Sequence, residues 1–575
     1  MARRIWRIEP CVPTLTAQEQ TQLGISPLVA SMLARRGIQD MAAALRFLEG
    51  GLADLYSPSL LPEADKAAQR LKEAICKHEK ILIYGDYDVD GITSTALILR
   101  VLRKLNVKDI MYFIPRRLEE GYGLNRSVLE KAVKHGCRLV VTVDCGISGN
   151  TEAAYLKDNG VDLIITDHHE PPEELPAAYA IINPKVPAVN YPCPYLAGVG
   201  VAFKFLQALA EYYPEIRPGM EENLDLVAIG TIADVVPLLD ENRILVREGL
   251  KRLANSTNLG LQTLLHRIGL EPPLTAEQVG YILGPRINAC GRLNTPTMAL
   301  QLFLATDPVE AVRLADQLEE ANRKRQNVEE KVMAEALAMV ESDFDPKRDY
   351  ALVLAGEGWH PGVIGIVASR ITERYYRPTV MIGVENGIGK GSARSIPGFH
   401  LFRALQGCSE RLVRFGGHEM AAGLTIEAEE ISEFRSAFNA LASQELTTDK
   451  LQPVLFAEDE IRLEQVNMAL IDELLRLAPF GVGNPAPVLI ARNLQVLFGK
   501  AVGEGARHLK LKLSDGRSSR NGIGFNLGRF TDEVLQAERV DVAFTAEKNT
   551  WNDVTDVQLV IKDIQTRALM EEETA

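Results

Sequence analysis

Five short apolar runs, at 81–85, 110–114, 139–143, 161–165 and 180–182, constrain this chain most. Helix-like stretches at 93–105, 126–135 and 150–159 separate the first four. Strands that are apolar on both faces and joined by crossover helices bury both faces in a parallel sheet, so the expected class is α/β. The chain has 575 residues, too many for one core at roughly 100–200 residues per domain. With 46% hydrophobic and 24% charged residues, a disordered chain or a coiled-coil rod is excluded.

The rest of the chain divides by pattern. Residues 1–60 are mixed helix and turn and carry no readable chemistry, and a parallel-sheet domain is expected over 61–306. Residues 307–341 read as a long helix polar on most faces, of the kind that bridges domains. A smaller α/β unit follows over 342–455. A helix-like 464–478 leads to the turn-rich Pro479-Phe-Gly-Val-Gly-Asn-Pro-Ala-Pro487. Short strands at 494–498, 508–513 and 540–545 then suggest a small β-barrel or sandwich within 456–575. No run approaches the ~18 apolar residues of a membrane span, and no apolar segment of a secretory leader follows the basic start. Seven scattered Cys without a CxxC fit a reducing cytoplasm rather than a disulfide framework.

The acids and histidines fall at strand ends. Asp86-Tyr-Asp88-Val-Asp90-Gly91 begins where the first run stops, Asp144 follows the third, and Asp167-His168-His169 follows the fourth. In an open parallel sheet these ends share one rim, where ligands bind. Asp234 lies in the apolar helix-like stretch 226–236, where a carboxylate is costly unless paired or on a metal. Carboxylates with one or two imidazoles and no thiolate suit Mn²⁺ or Mg²⁺ better than structural zinc. That many ligands suffice for two ions ~3.5–4 Å apart, which would activate a water and neutralise the oxygens at phosphorus. Taken singly, each part has a plainer origin: a solvated strand end for Asp144, a helix cap for the histidine pair. A calcium loop fits Asp86–Gly91 poorly, because its twelfth position is Leu97. There is no GxxxxGK[ST] and no GxSxG, and Gly198-Val-Gly200 lacks the third glycine of a dinucleotide fingerprint.

Two further regions are informative. Gly389-Lys-Gly-Ser392-Ala-Arg394 and Gly416-Gly417-His418 read either as glycine turns or as a phosphate clamp in which backbone amides and Arg394 meet an anion. Residues 492–529 hold eight Lys or Arg against Glu504 and Asp515, in a chain of net charge −14. With Phe498 and Phe525 among them, this looks like an oligonucleotide-binding surface rather than only a solvated face.

These motifs resemble the DHH phosphoesterase superfamily and, within it, the RecJ family of single-strand-specific exonucleases. Asp86-Tyr-Asp-Val-Asp-Gly, Ile114-Pro-Arg-Arg117-Leu-Glu-Glu-Gly-Tyr-Gly-Leu, Asp144-Cys-Gly, Asp167-His-His and Asp234 follow the family's order. So do Gly284-Pro-Arg286-Ile-Asn-Ala-Cys-Gly-Arg292, Gly417-His418-Glu-Met-Ala-Ala-Gly and Pro479-Phe-Gly-Val-Gly-Asn-Pro. The resemblance implies a DHH domain and a smaller DHHA1-like domain joined by the long helix, with a C-terminal OB-type barrel. It implies two divalent ions, Mn²⁺ or Mg²⁺, held by Asp86, Asp88, Asp90, Asp144, His168 and Asp234. Asp144, His168 and His169 would be catalytic, with His169 contacting the scissile phosphate or a ligand. Arg117, Arg286, Arg292, Ser392 and Arg394 would grip DNA, and Gly417 and His418 would sit at a substrate phosphate. The implied activity is 5′→3′ digestion of single-stranded DNA to 5′ mononucleotides in DNA repair and recombination. A single-strand-binding protein and a helicase are the implied partners, with no membrane. Rival readings are a relative that cleaves short substrates such as cyclic dinucleotides, and an inactive replication-fork scaffold.

Overall fold

The structure, a computed structural model, describes residues 4–116, 119–121, 123–187, 190–292, 296–551 and 554–566. Its residues group into two units, one of 8–316 with 456 onward and the other of 317–455 with the first few residues.

In the larger unit five parallel strands lie in the order Ile110–Phe113, Lys80–Gly85, Cys137–Val143, Asp162–Thr166, Ala180–Ile182. The register sets Gly85 beside Val143, Val143 beside Thr166, and Thr166 beside Ile182. The residues that follow, Asp86, Asp144 and Asp167, therefore leave the sheet side by side. Strand order reverses between Lys80–Gly85 and Cys137–Val143, so the rim crevice of a doubly wound sheet opens between Asp86 and Asp144. The helices Arg126–Lys134 and Asn150–Asp158 cover one face through Leu129, Ala132, Ala153 and Leu156. The helices Val89–Lys104, Gly198–Leu209 and Leu224–Ala233 pack against one another and are buried nearly all round.

Two local expectations are corrected. The first helix starts at Val89 rather than near residue 93, because the Asp88 side chain caps it by accepting the Gly91 N–H at 3.0 Å. An Asp-rich run reads as a loop in isolation, yet acids are also what a helix N-terminus favours. Asp234 lies at the C-cap of Leu224–Ala233 rather than inside a helix. It is thus at a chain reversal, where its carboxylate can leave the apolar packing.

The C-terminal strands Leu489–Val502, His508–Ser514, Ser519–Gly524, Val540–Trp551 and Val554–Thr566 close into a five-stranded barrel. Leu489–Val502 pairs with both His508–Ser514 and Val540–Trp551, and Ser519–Gly524 pairs parallel with Val554–Thr566. The first strand runs further than its sequence pattern suggests because register shifts near Ala491–Leu494 and Val496–Phe498 break the alternation. Residues 1–60 are not a featureless lead. Leu23, Val29, Met32, Leu33 and Phe47, from the helices Ala17–Leu23, Pro27–Arg35 and Met41–Glu49, join the barrel's Leu489, Leu511, Val542 and Phe544 in one hydrophobic core.

The polar helix runs Pro308–Asp343. In the smaller unit a five-stranded sheet takes the order Arg414–Gly417, Ala421–Glu427, Ile388–Arg394, Thr379–Glu385, Leu352–Glu357, with only the last pair parallel. Its core centres on Phe399, Phe434 and Phe438. No described helix is long and apolar enough to cross a membrane.

Candidate metal centre

Four chain segments bring seven of the expected residues to one rim. Three sets of ligand atoms each lie within 4.8 Å of one another: Asp86, Asp88 and Asp144; Asp90, His168 and Asp234; Asp144, His168 and His169. Nε2 of His168 stands 3.1 Å from Asp144 Oδ1, 3.6 Å from Asp234 Oδ2 and 3.9 Å from Asp90 Oδ2. Asp144 enters in the left-handed region at φ 61°, with its N–H on Thr166 O at 2.9 Å. Aspartate is one of the few side chains that visits this conformation readily.

Electrostatically the cluster is incomplete. Burial and then the Asp88 charge push Asp90 up to about 7, although the Val199 and Gly198 amides pull the other way. Burial and the neighbouring Asp90 and Asp88 raise Asp234 to about 9, and burial with Asp90 drives Asp144 well above the carboxylate range. His168 gives no relief, since burial and His169 lower it to about 3. Asp144 Oδ1, Asp234 Oδ2 and His168 Nε2 are buried atoms without a hydrogen-bond partner. Buried polar atoms are rarely left so. Hard oxygen donors around one imidazole, crowded with negative charge, fit divalent cations of the Mn²⁺ or Mg²⁺ type.

Two supporting devices escaped the sequence reading. The first is Asp167, whose Oδ1 accepts the backbone N–H groups of His168 (2.7 Å) and His169 (3.1 Å) and lies 2.7 Å from His169 Nδ1. Its Oδ2 accepts the Ile147 N–H at 2.9 Å. Burial would raise Asp167, but these bonds and His169 hold it below the usual range. Burial would likewise lower His169, yet Asp167 raises it. His169 is thereby oriented and biased toward its protonated form. Asp167→Asn should cost ~10–100-fold in kcat, as loss of a carboxylate behind a site imidazole does, with a lower His169 pKa by NMR and little change in KM.

The second device is the N-terminus of Gly198–Leu209. Ala197 provides no side-chain cap, and the free amides of Gly198 and Val199 instead donate to the two oxygens of Asp90 at 2.6 and 2.8 Å. The Gly198-Val-Gly200 pair that fails as a dinucleotide fingerprint thus serves a protein carboxylate. An apolar helix start with no Ser, Thr, Asp or Asn before it was the available signal.

The remaining expected residues fall in three places. Arg286 and Arg292 sit on the helix Gly284–Arg292, which starts near Ala233 and ends against the Asp86–Asp90 segment. A Cβ on Gly291 would lie 2.7 Å from the Tyr87 carbonyl, so this approach needs glycine. In the smaller unit, Arg394 Nη1 donates to Ser392 Oγ at 3.3 Å, and Ala421, which pairs with Arg394, accepts the His418 N–H at 2.8 Å through its carbonyl. Gly417 adopts φ 144° at that turn and His418 is exposed. Ser392 and Arg394 thus share one strand, and Gly417 and His418 lie at the turn on the far side of the strand Ala421–Glu427 that pairs with it. Arg117 lies outside the described residues.

The barrel carries the expected basic and aromatic surface. Lys500 lies opposite Lys510, and Phe498 opposite Lys512. Phe498 and Phe525 are 50% and 56% exposed, open enough to stack on another ring. Like charges directly opposite destabilise a strand pair, which suits a surface meeting a polyanion. Arg492 is committed internally, to Glu460 and Asp541.

A parallel-sheet domain with carboxylates and paired histidines at its rim, followed by a second α/β unit and a barrel, defines the DHH phosphoesterase class. Family models match accordingly: the DHH family N-terminal domain over residues 80–231, the DHHA1 domain over 348–444, and the RecJ OB domain over 457–563. The chain is 42% identical over 545 residues to a Bacillus subtilis protein named single-stranded-DNA-specific exonuclease RecJ, covering 94% of this chain and 68% of that one. A Haemophilus influenzae protein of the same name is 35% identical, with 94% and 96% covered. The crystal structure of Thermus thermophilus RecJ in complex with Mn²⁺ superposes with a TM-score of 0.83 at 32% identity, covering 98% of this chain and 79% of that chain. This chain belongs to the RecJ family.

Proposed function

We propose that this chain is a divalent-metal-dependent exonuclease that digests single-stranded DNA from the 5′ end and releases 5′ mononucleotides, in DNA repair and recombination. The observation that carries this reading is the convergence of Asp90, Asp144, His168 and Asp234 on one rim, with buried ligand atoms left unpartnered. Asp86, Asp88, Asp90, Asp144, His168 and Asp234 would hold two ions, Mn²⁺ or Mg²⁺. When bound, such ions activate water and neutralise charge on the oxygens at phosphorus. The Gly198 and Val199 amides fix the Asp90 carboxylate. His169, braced by Asp167, donates a hydrogen bond to a non-bridging oxygen of the scissile phosphate. Arg286, Arg292 and Arg117 grip the DNA backbone. Ser392, Arg394, Gly417 and His418 hold a substrate phosphate. On the barrel, Phe498 and Phe525 stack on bases while Lys500, Lys510 and Lys512 follow the strand. The domain limits that go with this reading are 61–306, 342–455 and 456–575, joined by 307–341. The setting is the cytoplasm, with a helicase and a single-strand-binding protein supplying substrate.

The test is digestion of end-labelled single strands of about 40 nucleotides, with and without a 5′ phosphate, in each metal. Duplex and dinucleotide are run alongside. Early release of the 5′ label from the single strand alone is expected. Early release of the 3′ label, or faster turnover of the dinucleotide, overturns the reading.

A further inference from the structure

Pro479-Phe-Gly-Val-Gly-Asn-Pro-Ala-Pro487 is a motif that the chemistry above leaves unused. The structure places its turn against the strap that leads away from Asp234. Immediately after Asp234, Val235 adopts φ 64°, a left-handed conformation that a β-branched residue avoids. Val235 is 64% exposed, so its own side chain does not hold it there. A strained conformation persists only where its surroundings enforce it. On one flank the Asp234 N–H closes the helix on Gly230 O at 2.9 Å.

The other flank is held by the turn. Leu238, 2% exposed, donates its N–H to Val482 O at 2.8 Å. A Cβ on Gly481 would meet the Leu238 side chain at 2.7 Å. One on Gly483, which has φ 73°, would meet Pro237 Cβ at 3.1 Å and Leu239 Cδ1 at 3.2 Å. The turn is itself rigidly seated. Gly481 and Asn484 exchange backbone hydrogen bonds of 2.9 and 3.2 Å, and the fully buried Asn484 donates to Leu477 O and Pro479 O, each at 2.8 Å. Asn484 Oδ1 accepts Arg36 Nε at 2.7 Å, and Arg36 is paired in turn with Glu458 at 2.9 Å. The seat is therefore built by the end of an N-terminal helix, Pro27–Arg35, together with the segment of 458–479 that precedes the barrel.

We infer that the 481–484 turn is a positioning element of the metal centre: it clamps residues 237–239 and so fixes where the Asp234 carboxylate points. The N-terminal helices and the segment leading into the barrel then serve the centre through geometry. This rests on the proposed role of Asp234 as a ligand, and the test separates the two.

Metal-free full-length protein is titrated with Mn²⁺ alone, reading free Mn²⁺ by EPR, for Gly483→Ala, Leu238→Ala, Asp234→Asn and the double variants with Asp234→Asn. Thermal unfolding and single-strand binding in EDTA report the fold. Gly483→Ala and Leu238→Ala should each weaken Mn²⁺ binding about tenfold, a loss typical of support around a ligand. Saturating Mn²⁺ should restore most of kcat, and neither change should add to the loss in an Asp234→Asn background. If Gly483→Ala does not fold, Leu238→Ala decides. Unchanged Mn²⁺ affinity in Asp234→Asn refutes the ligand role itself. Weakened affinity in Asp234→Asn but not in the folded clamp variants, or a clamp loss fully additive with it, refutes the clamp.

Discussion

Asp144→Ala is expected to reduce DNA cleavage at least about a thousandfold, ~4 kcal/mol of transition-state stabilisation, while changing single-strand binding no more than about twofold. Asp144 is shared by two of the three ligand sets, touching the Asp86–Asp88 side and the His168–His169 side at once. Its removal therefore empties the middle of the centre rather than one edge. The residues proposed to grip DNA come from other segments, Gly284–Arg292, Ile388–Arg394 and the barrel. Binding and turnover should part accordingly. Without metal, the variant should lose little heat stability, because a buried carboxylate crowded by Asp90, Asp88, Asp234 and Asp86 itself opposes folding, against alanine's cost at positive φ. Adding Mn²⁺ should raise the Tm of the parent and leave that of the variant nearly unchanged, as expected when only one of them binds the ion. Near-normal turnover, or an equal Mn²⁺ shift in both proteins, would remove Asp144 from the centre.

The legible part of this molecule was what period and strand ends record. A parallel sheet follows from apolar runs spaced by helices, and its rim follows from where those runs stop. Asp86, Asp144 and His168 were therefore findable without coordinates. What escaped was carried by backbone groups or by partners distant in sequence. The two amides that hold Asp90 come from Gly198 and Val199, over a hundred residues downstream, and an amide leaves no mark in composition. The helices before residue 50 showed no chemistry because their work is packing, and their partners in the core begin at Ile461. The closed barrel read as barrel or sandwich because bulges in Leu489–Val502 break the alternation that would have revealed its longest strand.

Gly198→Ala adds a single methyl group and no new chemistry, yet it should cost about a hundredfold or more in kcat. The Cβ would sit 2.6 Å from Asp144 Oδ1, 2.7 Å from its Cβ and 2.8 Å from its Cγ. All three distances are below real Cβ contacts, and the neighbour is a short carboxylate on a residue fixed by Thr166 O, so it cannot swing clear. Either Asp144 rotates away from His168 or the helix start backs off and loosens its grip on Asp90. Restoring ordinary contact takes a shift of roughly 0.8 Å, beyond the ~0.5 Å tolerance of a preorganised site. Gly200→Ala is the matched control: two residues on in the same helix, its added Cβ meets only the Leu196 side chain, at 3.2 Å. It should stay within a few-fold of the parent. Measuring kcat, Mn²⁺ affinity and Tm for both variants isolates the contact with Asp144. Equal losses would assign the effect to the helix, and no loss in Gly198→Ala would mean that the Asp144 carboxylate need not stand where the structure puts it.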